Sequence, residues 1–314
     1  MGGGSDMAAY YLNGYGAVVS TTIDRYIYIT VNRRFDDLIR ASYSKTEVVE
    51  YPDKLEHNII REALKMVGVE QGVDIVYMGD IPLSNVGVGL GSSSSLAVGV
   101  LNALYAYTGQ HVSAEHLARR ACQLEIDILG HPIGKQDQYA AAYGGFNYIR
   151  FNMDESVFVT PIICKKETRQ ELNSRFLLFY TGITRMSSDV LYEQQANIAT
   201  NRECLDRLVD MAEMMRDLLI RNELRMIGEL LHESWEHKKK LASNVTNSRL
   251  DDYYDRALAA GAVGGKLVGA GGGGFLLLYC EEPYQDHVRQ ALGDLKECPF
   301  TFEPQGSRII YVSD

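Results

Sequence analysis

The most constraining feature of the sequence is a glycine- and serine-rich segment that runs directly into an apolar one, Val86–Tyr107 (VGVGLGSSSSLAVGVLNALYAY). Gly87, Gly89 and Gly91 alternate with apolar residues, and glycine lets backbone N–H groups crowd around a ligand. A helix beginning at the serines 92–95 would add free N–H groups and the positive end of its dipole. The segment therefore predicts a polyphosphate site. A flexible linker is the alternative, but linkers do not lead into a helix that is apolar nearly all round.

This loop lacks the signatures of the common nucleotide-binding loops. The pattern GxxxxGK[ST] requires a lysine after its last glycine, and Gly91 is followed by serine. In a GxGxxG reading the third glycine falls one place early, which argues against a dehydrogenase. We therefore expect the positive charge that a phosphate site needs to come from another part of the chain.

Length and composition are typical of an ordinary globular protein. The 314 residues are enough for two domains or for one large domain. A net charge of -10 argues against a general binder of nucleic acid or of anionic membranes, and no apolar run reaches the ~18 residues of a membrane span. The five cysteines are scattered without CxxC spacing, which indicates reduced thiols and a cytoplasmic location.

A charged stretch at residues 164–173 marks the expected domain boundary. Residues 1–168 would form the domain with the phosphate loop, and residues 169–314 the second domain. Hydrophobic periodicity predicts three helices and a closing strand, at Ser113–Leu129, Ser188–Leu219, Asn222–Ser243 and Arg308–Val312 respectively. The run Lys238–Lys240 is interpreted as a solvated helix face.

A second constellation, Glu125–Tyr143 (EIDILGHPIGKQDQYAAAY), gathers charged residues around a proline and two glycines. Glu125 and Asp127 sit toward a helix end, where the dipole disfavours carboxylates, so we expect them to be solvated or neutralised by a cation. A Mg²⁺ ion shared with a polyphosphate would neutralise these carboxylates. Asp137 would lie on a Pro/Gly loop, placed to accept the proton of a substrate hydroxyl. A polar turn between helices is the alternative interpretation.

A third constellation is the run Gly-Ala-Gly-Gly-Gly-Gly at residues 269–274. So many small residues cost backbone entropy unless the backbone must approach something closely. A tight turn before a strand would account for two glycines but not for this many.

Together these segments resemble the GHMP family of small-molecule kinases. The resemblance rests on four motifs in family order across almost the whole chain: GGGxD at Gly2–Asp6, the phosphate loop at Pro82–Ser95, the catalytic segment at Glu125–Asp137 and the glycine loop at Gly269–Gly274. The sequence of residues 124–145, together with the early GGGSD, resembles that of the family branch that phosphorylates D-glycero-D-manno-heptose 7-phosphate at its anomeric hydroxyl. Kinases of free sugars such as fucose share much of this pattern.

The resemblance implies an α+β fold of two domains, with the active site in the cleft between them. The N-terminal domain would be ribosomal-S5-like, and the C-terminal domain ferredoxin-like with two inserted helices. Asp137 would orient or deprotonate the substrate hydroxyl, and Ser93 and Glu125 would hold Mg²⁺. The residues expected to hold the ATP phosphates are Gly87, Gly89, Leu90, Gly91, Ser92, Ser93 and Ser94.

The expected substrate is a sugar or a sugar phosphate, bound by Asp6, Gly4, Gly271 and Gly272. A sugar that already carries a phosphate needs a cation at its far end, and Arg185 is the candidate, with a surface arginine as the alternative. The expected activity is ATP- and Mg²⁺-dependent phosphorylation of heptose 7-phosphate. The alternatives are a kinase of a free sugar such as fucose or galactose and a non-catalytic sensor of sugar or nucleotide on the same fold.

The start of the chain departs from the family pattern. Family members carry a strand with a basic residue just before GGGxD, whereas here Met1 directly precedes Gly2. We therefore expect one strand of the sheet to lack a neighbour. We also expect that the chain is truncated, that its start is misassigned, or that its activity is impaired.

Overall fold

The β-branched and aromatic residues that follow Tyr15 form paired strands in the computed structural model, which describes residues 1–81, 89–184 and 187–312. The strands are β1 (Tyr15–Ser20), β2 (Thr22–Ile23), β3 (Ile27–Arg33), β4 (Ile39–Ser42), β5 (Thr46–Val49), β6 (Val73–Gly79), β7 (Asn147–Asn152), β8 (Val157–Pro161), β9 (Phe176–Tyr180), β10 (Ala262–Leu267), β11 (Phe275–Cys280), β12 (Lys296–Glu297) and β13 (Phe302–Glu303). The α-helices are α1 (Ala8–Tyr11), α2 (Asn58–Val67), α3 (Ser92–Tyr107), α4 (Ala114–Cys122), α5 (Gln136–Tyr143), α6 (Lys166–Arg175), α7 (Ser187–Ala196), α8 (Arg202–Arg221), α9 (Leu224–Lys238), α10 (Ser248–Ala259) and α11 (Gln285–Ala291). A π-helical segment, Gln123–Ile128, continues α4.

The first half of the chain forms two sheets around a central helix. One sheet is antiparallel, in the order β1-β7-β8, and the other runs β3-β6-β4-β5 with β4 parallel to β6. Helix α3 packs against β3 and against α2, α4 and α5. Enclosure on several sides explains why α3 is apolar nearly all round, with Leu96, Val100 and Leu104 buried. This packing fixes the direction in which the start of α3 points.

The second half is built on one antiparallel sheet, in the order β10-β11-β9-β12. Helix α9 lies so close to β10 that a Cβ on Gly264 would stand 2.1 Å from the carbonyl oxygen of Gly228. Helix α8 pairs with α9 and packs against β1. Leu205 of α8 and Leu230 of α9 therefore belong to the same buried core as the first half.

Most predicted elements are present, and the α+β class is confirmed. Two predictions are wrong. The helix predicted at Ser188–Leu219 is divided into α7 and α8 by a turn that ends at Asn201, whose side-chain amide donates to the carbonyl of Leu241 at 3.0 Å. No strand forms at Arg308–Val312, and within the described chain these residues pair with no strand.

The predicted domain boundary after residue 168 falls within α6, and it remains a proposal. Near the start of the chain, β1 forms the edge of its sheet. Met1 pairs with this edge through two hydrogen bonds, from its amino group to the Val19 carbonyl at 2.9 Å and from the Val19 N–H to its own carbonyl at 3.0 Å.

Two further observations concern the chain as a whole. Each of the cysteines is free, with Cys122 and Cys280 buried. Among the residues with described positions, no helix is both long enough and apolar enough to cross a membrane.

Candidate active site

The start of α3 has the geometry of an anion site. Gly91 precedes the first helical residue and has a φ of +67°, and Gly89 has a φ of +83°. The first intrahelical hydrogen bond runs from the Ser95 N–H to the Gly91 carbonyl at 2.9 Å, so the N–H groups before Ser95 have no partner within the helix. Leu90 and Ser92 are partly buried beside them, whereas Ser94 is buried. Gly87, also expected to bind phosphate, lies outside the described residues.

The predicted pair Ser93 and Glu125 is brought together at this helix start. Glu125 is fully buried in the π-helical segment, and its Oε1 accepts a hydrogen bond from the Ser93 hydroxyl. Its Oε2 accepts from Nε2 of Gln138 at 2.7 Å, and Nδ1 of His131 lies 3.8 Å from Oε1. Asp127, two residues further along, is exposed and takes no part.

Asp137 lies in the first turn of α5, not on a loop as predicted. Its carboxyl group faces the start of α3, since a Cβ on Gly91 would stand 3.3 Å from its Cγ. Burial raises the pKa of Asp137 to about 7, and the negative charges of Asp6 and Glu125 act in the same direction. Within the described chain no residue donates a hydrogen bond to this carboxyl. Asp137 is therefore free to bind a substrate hydroxyl.

Asp6 joins the beginning of the chain to α5. One carboxylate oxygen accepts from the Gly4 N–H at 2.9 Å, and the other accepts from the Gln136 N–H, the first of the helix, at 3.0 Å. A Cβ on Gly134 would stand 1.9 Å from Oδ2 of Asp6, so this contact requires glycine there. Asp6 is buried, and burial raises its pKa. Its hydrogen bonds fix the orientation of the helix that carries Asp137, while the predicted sugar contacts of Asp6 and Gly4 stay predictions.

The late glycine loop, Gly269–Gly274, contacts the first glycine loop at Gly89, and the contact is between backbone atoms. A Cβ on Gly89 would stand 2.5 Å from the Val268 carbonyl oxygen, and one on Gly269 would stand 2.4 Å from the Cα of Gly89. The loop folds back on Val245, whose carbonyl accepts from the Gly272 N–H at 2.7 Å. Gly271 has a φ of +107° and also lies against Val245. The close approach expected of this glycine run is therefore to the protein's own backbone, and the predicted sugar contacts of Gly271 and Gly272 stay predictions.

Two lysines that the sequence analysis did not select complete the site. Lys238, the last residue of α9, is buried and donates from Nζ to the carbonyl of Gly269. Its assignment to a solvated face was wrong: it follows buried Leu231 and Trp235 by seven and three residues, which places it on the buried face of α9. That spacing was the signal available in the sequence. Lys266 of β10 lies nearby, and burial lowers its pKa to about 8.

The oxygen ligands at the start of α3 suit a magnesium ion. Mg²⁺ in nucleotide sites takes one or two protein oxygens and completes its shell with phosphate and water. The Ser93 hydroxyl and the Glu125 carboxylate offer that set. Over residues 1–81, 89–184 and 187–312, no group of three or more His, Cys, Asp or Glu side chains is arranged to hold a metal by itself. Any ion bound here would thus depend on a phosphate ligand.

Comparisons with known proteins show to which family the chain is similar. The family model of the GHMP kinases N terminal domain matches residues 42–145, and that of the GHMP kinases C terminal domain matches residues 215–297. A D-glycero-alpha-D-manno-heptose 7-phosphate kinase of Campylobacter jejuni is 30% identical, over 96% of this chain and 94% of its own. A bifunctional fucokinase/GDP-fucose pyrophosphorylase of Arabidopsis thaliana is 29% identical, over 76% of this chain and 24% of its own.

The fold is also similar to solved structures. The crystal structure of a D-glycero-D-manno-heptose 1-phosphate kinase from Bacteroides thetaiotaomicron superimposes with a TM-score of 0.81 at 27% identity. The match covers 99% of this chain and 96% of the other.

Proposed function

Because the chain belongs to the GHMP kinase family and is a phosphotransferase, we propose that it transfers the terminal phosphoryl group of ATP to a sugar phosphate. The proposed acceptor is the anomeric hydroxyl of D-glycero-D-manno-heptose 7-phosphate, in the synthesis of a nucleotide-linked heptose. One observation carries the proposal: Asp137, to which no described residue donates a hydrogen bond, faces the start of α3 at Gly91.

Phosphoryl transfer requires mainly positioning and charge from the protein, together with a group that accepts the proton of the attacking hydroxyl. The N–H groups at the start of α3 would hold the ATP phosphates. Ser93 and Glu125 would hold Mg²⁺, which when bound neutralises charge on the phosphates. Asp137 accepts the proton of the acceptor hydroxyl as its oxygen attacks the terminal phosphorus. The bond from that phosphorus to the bridging oxygen breaks, and ADP leaves.

The choice of a sugar phosphate is supported by the Campylobacter jejuni relative, whose name gives heptose 7-phosphate as its substrate. A phosphate at the far end of the sugar requires a cation, and we propose Arg185, which lies outside the described residues. A guanidinium binds phosphate in bidentate fashion. Each such contact is worth roughly 1.5–3 kcal/mol, or about one to two decades in kcat/KM.

Steady-state ADP release against heptose 7-phosphate, free heptose, fucose and galactose tests this proposal. We expect heptose 7-phosphate to be preferred by about ten- to a hundredfold, EDTA to abolish turnover, and Arg185→Ala to lower kcat/KM for the phosphorylated sugar alone. The Arabidopsis relative makes fucose the main competitor. A higher kcat/KM with a free sugar would reject heptose 7-phosphate as the acceptor. Nucleotide binding without any ADP release would favour a non-catalytic sensor.

A further inference from the structure

Three consecutive lysines at the end of α9 have different surroundings. Lys240 is exposed, and Lys239 forms an ion pair with Glu236 at 2.6 Å. Lys238 is only 7% exposed and donates to the carbonyl of Gly269 in the late glycine loop. This run therefore supplies one buried cation and, beside it, an exposed lysine that can serve as a matched control.

Among the described residues, Lys238 has no carboxylate within ion-pair distance. Neither it nor Lys266 forms a salt bridge with a carboxylate within the described part of the chain. Burial and the charge of Lys266 lower the pKa of Lys238, while Asp137 and Asp6 oppose this effect. Desolvating two like charges that have no ion-pair partner is costly, and proteins normally pair such groups. An anionic ligand would compensate both charges.

The position of Lys238 indicates which anion this is. Gly269, whose carbonyl it contacts, touches Gly89 of the first glycine loop, and Asp137 faces Gly91 two residues further along. Lys238 therefore lies where the two glycine loops meet, within electrostatic range of the proposed base. The first loop has no lysine of its own to supply this charge.

We propose that the Lys238 ammonium binds the phosphoryl group while it passes from ATP to the acceptor oxygen. This inference rests on the proposed function. Negative charge on the transferred oxygens is held between the helix N–H groups and a cation, which is the arrangement that stabilises phosphoryl transfer. The step uses the protonated form of Lys238, which burial disfavours and a bound phosphate anion would stabilise, while the acceptor proton goes to Asp137.

Three variants test this role: Lys238→Met, which removes the charge and the donor, Lys238→Gln, which keeps a donor for the Gly269 carbonyl, and Lys240→Met as the control. Losing a preorganised transition-state contact typically costs ~10²–10³-fold in kcat, and we expect that loss in both Lys238 variants but not in the control. Calorimetry should show at least about tenfold weaker binding of a non-hydrolysable ATP analogue and unchanged binding of ADP, which lacks the terminal phosphate. The thermal midpoint of Lys238→Met should equal or exceed that of the parent, because a buried unpaired charge has been removed.

Three results would overturn the proposal. If Lys238→Gln retains parental turnover, the residue serves only to hold the loop. A joint loss of ADP and ATP-analogue affinity would likewise assign it to loop structure, and near-parental kcat in Lys238→Met would exclude any role in transfer. If the parent protein phosphorylates no sugar, the proposed function fails, whereas the contrast between ATP analogue and ADP still tests Lys238.

Discussion

The two halves of the site carry opposite charges, and the charges are paired to different degrees. In the acidic half, Asp6 and Glu125 each accept two hydrogen bonds, and only Asp137 is left without a donor within the described chain. In the basic half, and within the described part of the chain, Lys238 has one hydrogen-bond partner, the Gly269 carbonyl, and Lys266 has no ion pair. The fold therefore holds Asp6 and Glu125 through hydrogen bonds and leaves Asp137, Lys238 and Lys266 without an ion-pair partner in the described chain.

Replacing the available acid should have the largest effect. A positioned base contributes about 10²–10⁴-fold, so we expect Asp137→Asn to lower kcat by that factor. Affinity for ADP should stay within threefold, since the carboxyl group does not hold the phosphates of ADP. Steady-state kinetics and calorimetry measure the two quantities, and near-parental turnover would show that the base lies elsewhere.

A smaller effect is expected where the two halves touch. Gly89→Ala places a methyl group against the Val268 carbonyl, whereas Gly109→Ala, at a φ of +74°, has nothing within 4 Å. Both variants carry the strain of a left-handed alanine, about 1 kcal/mol, but only the first displaces the glycine loops. We expect at least about tenfold weaker nucleotide binding for Gly89→Ala, and parental binding for the control. Equal losses in both would mean that strain alone, and not loop contact, matters.

The smallest effect concerns stability and its dependence on pH. Since the pKa of Asp137 is raised to about 7 in the folded protein, the folded state retains a proton that the unfolded chain loses near pH 4. The contribution of Asp137 to the free energy of unfolding should therefore fall from pH 4 to pH 7. Asp137→Asn removes this loss, so its thermal midpoint should match the parent near pH 4 and exceed it by a few degrees above pH 7. A difference that is constant with pH would contradict the raised pKa.

The sequence was sufficient to predict the features that depend on local residue patterns. Glycines before a serine run and an apolar helix predicted a loop that leads into a helix, and Gly91 directly precedes the first residue of α3. Ser93 and Glu125, expected to share a magnesium ion, are hydrogen-bonded to each other, and their role as metal ligands stays a prediction. The helix that carries Asp137 was missed because its first N–H is capped by Asp6, far away in the chain. A cap of that kind leaves no signal in neighbouring residues.

Lys238 was missed for another reason. Three consecutive lysines are typical of a solvated helix face, and the prediction followed that composition. The spacing of Lys238 from Leu231 and Trp235, which places it on the buried face of α9, was not used. The break between α7 and α8 was hidden in the same way, because no proline or glycine marks the turn at residues 197–201. Tertiary packing decides such cases, and single-sequence patterns do not contain it.

The contact between Gly89 and Gly269 also limits how this protein can evolve. Many packed pairs tolerate change because a larger side chain at one position can be offset by a smaller one at the other. Glycine has no side chain left to remove, so neither residue can compensate for a methyl group gained by its partner. A descendant of this sequence can vary either position only by moving the backbone of a loop that a nucleotide would occupy. The two sites are thus fixed jointly, although they lie in different halves of the chain.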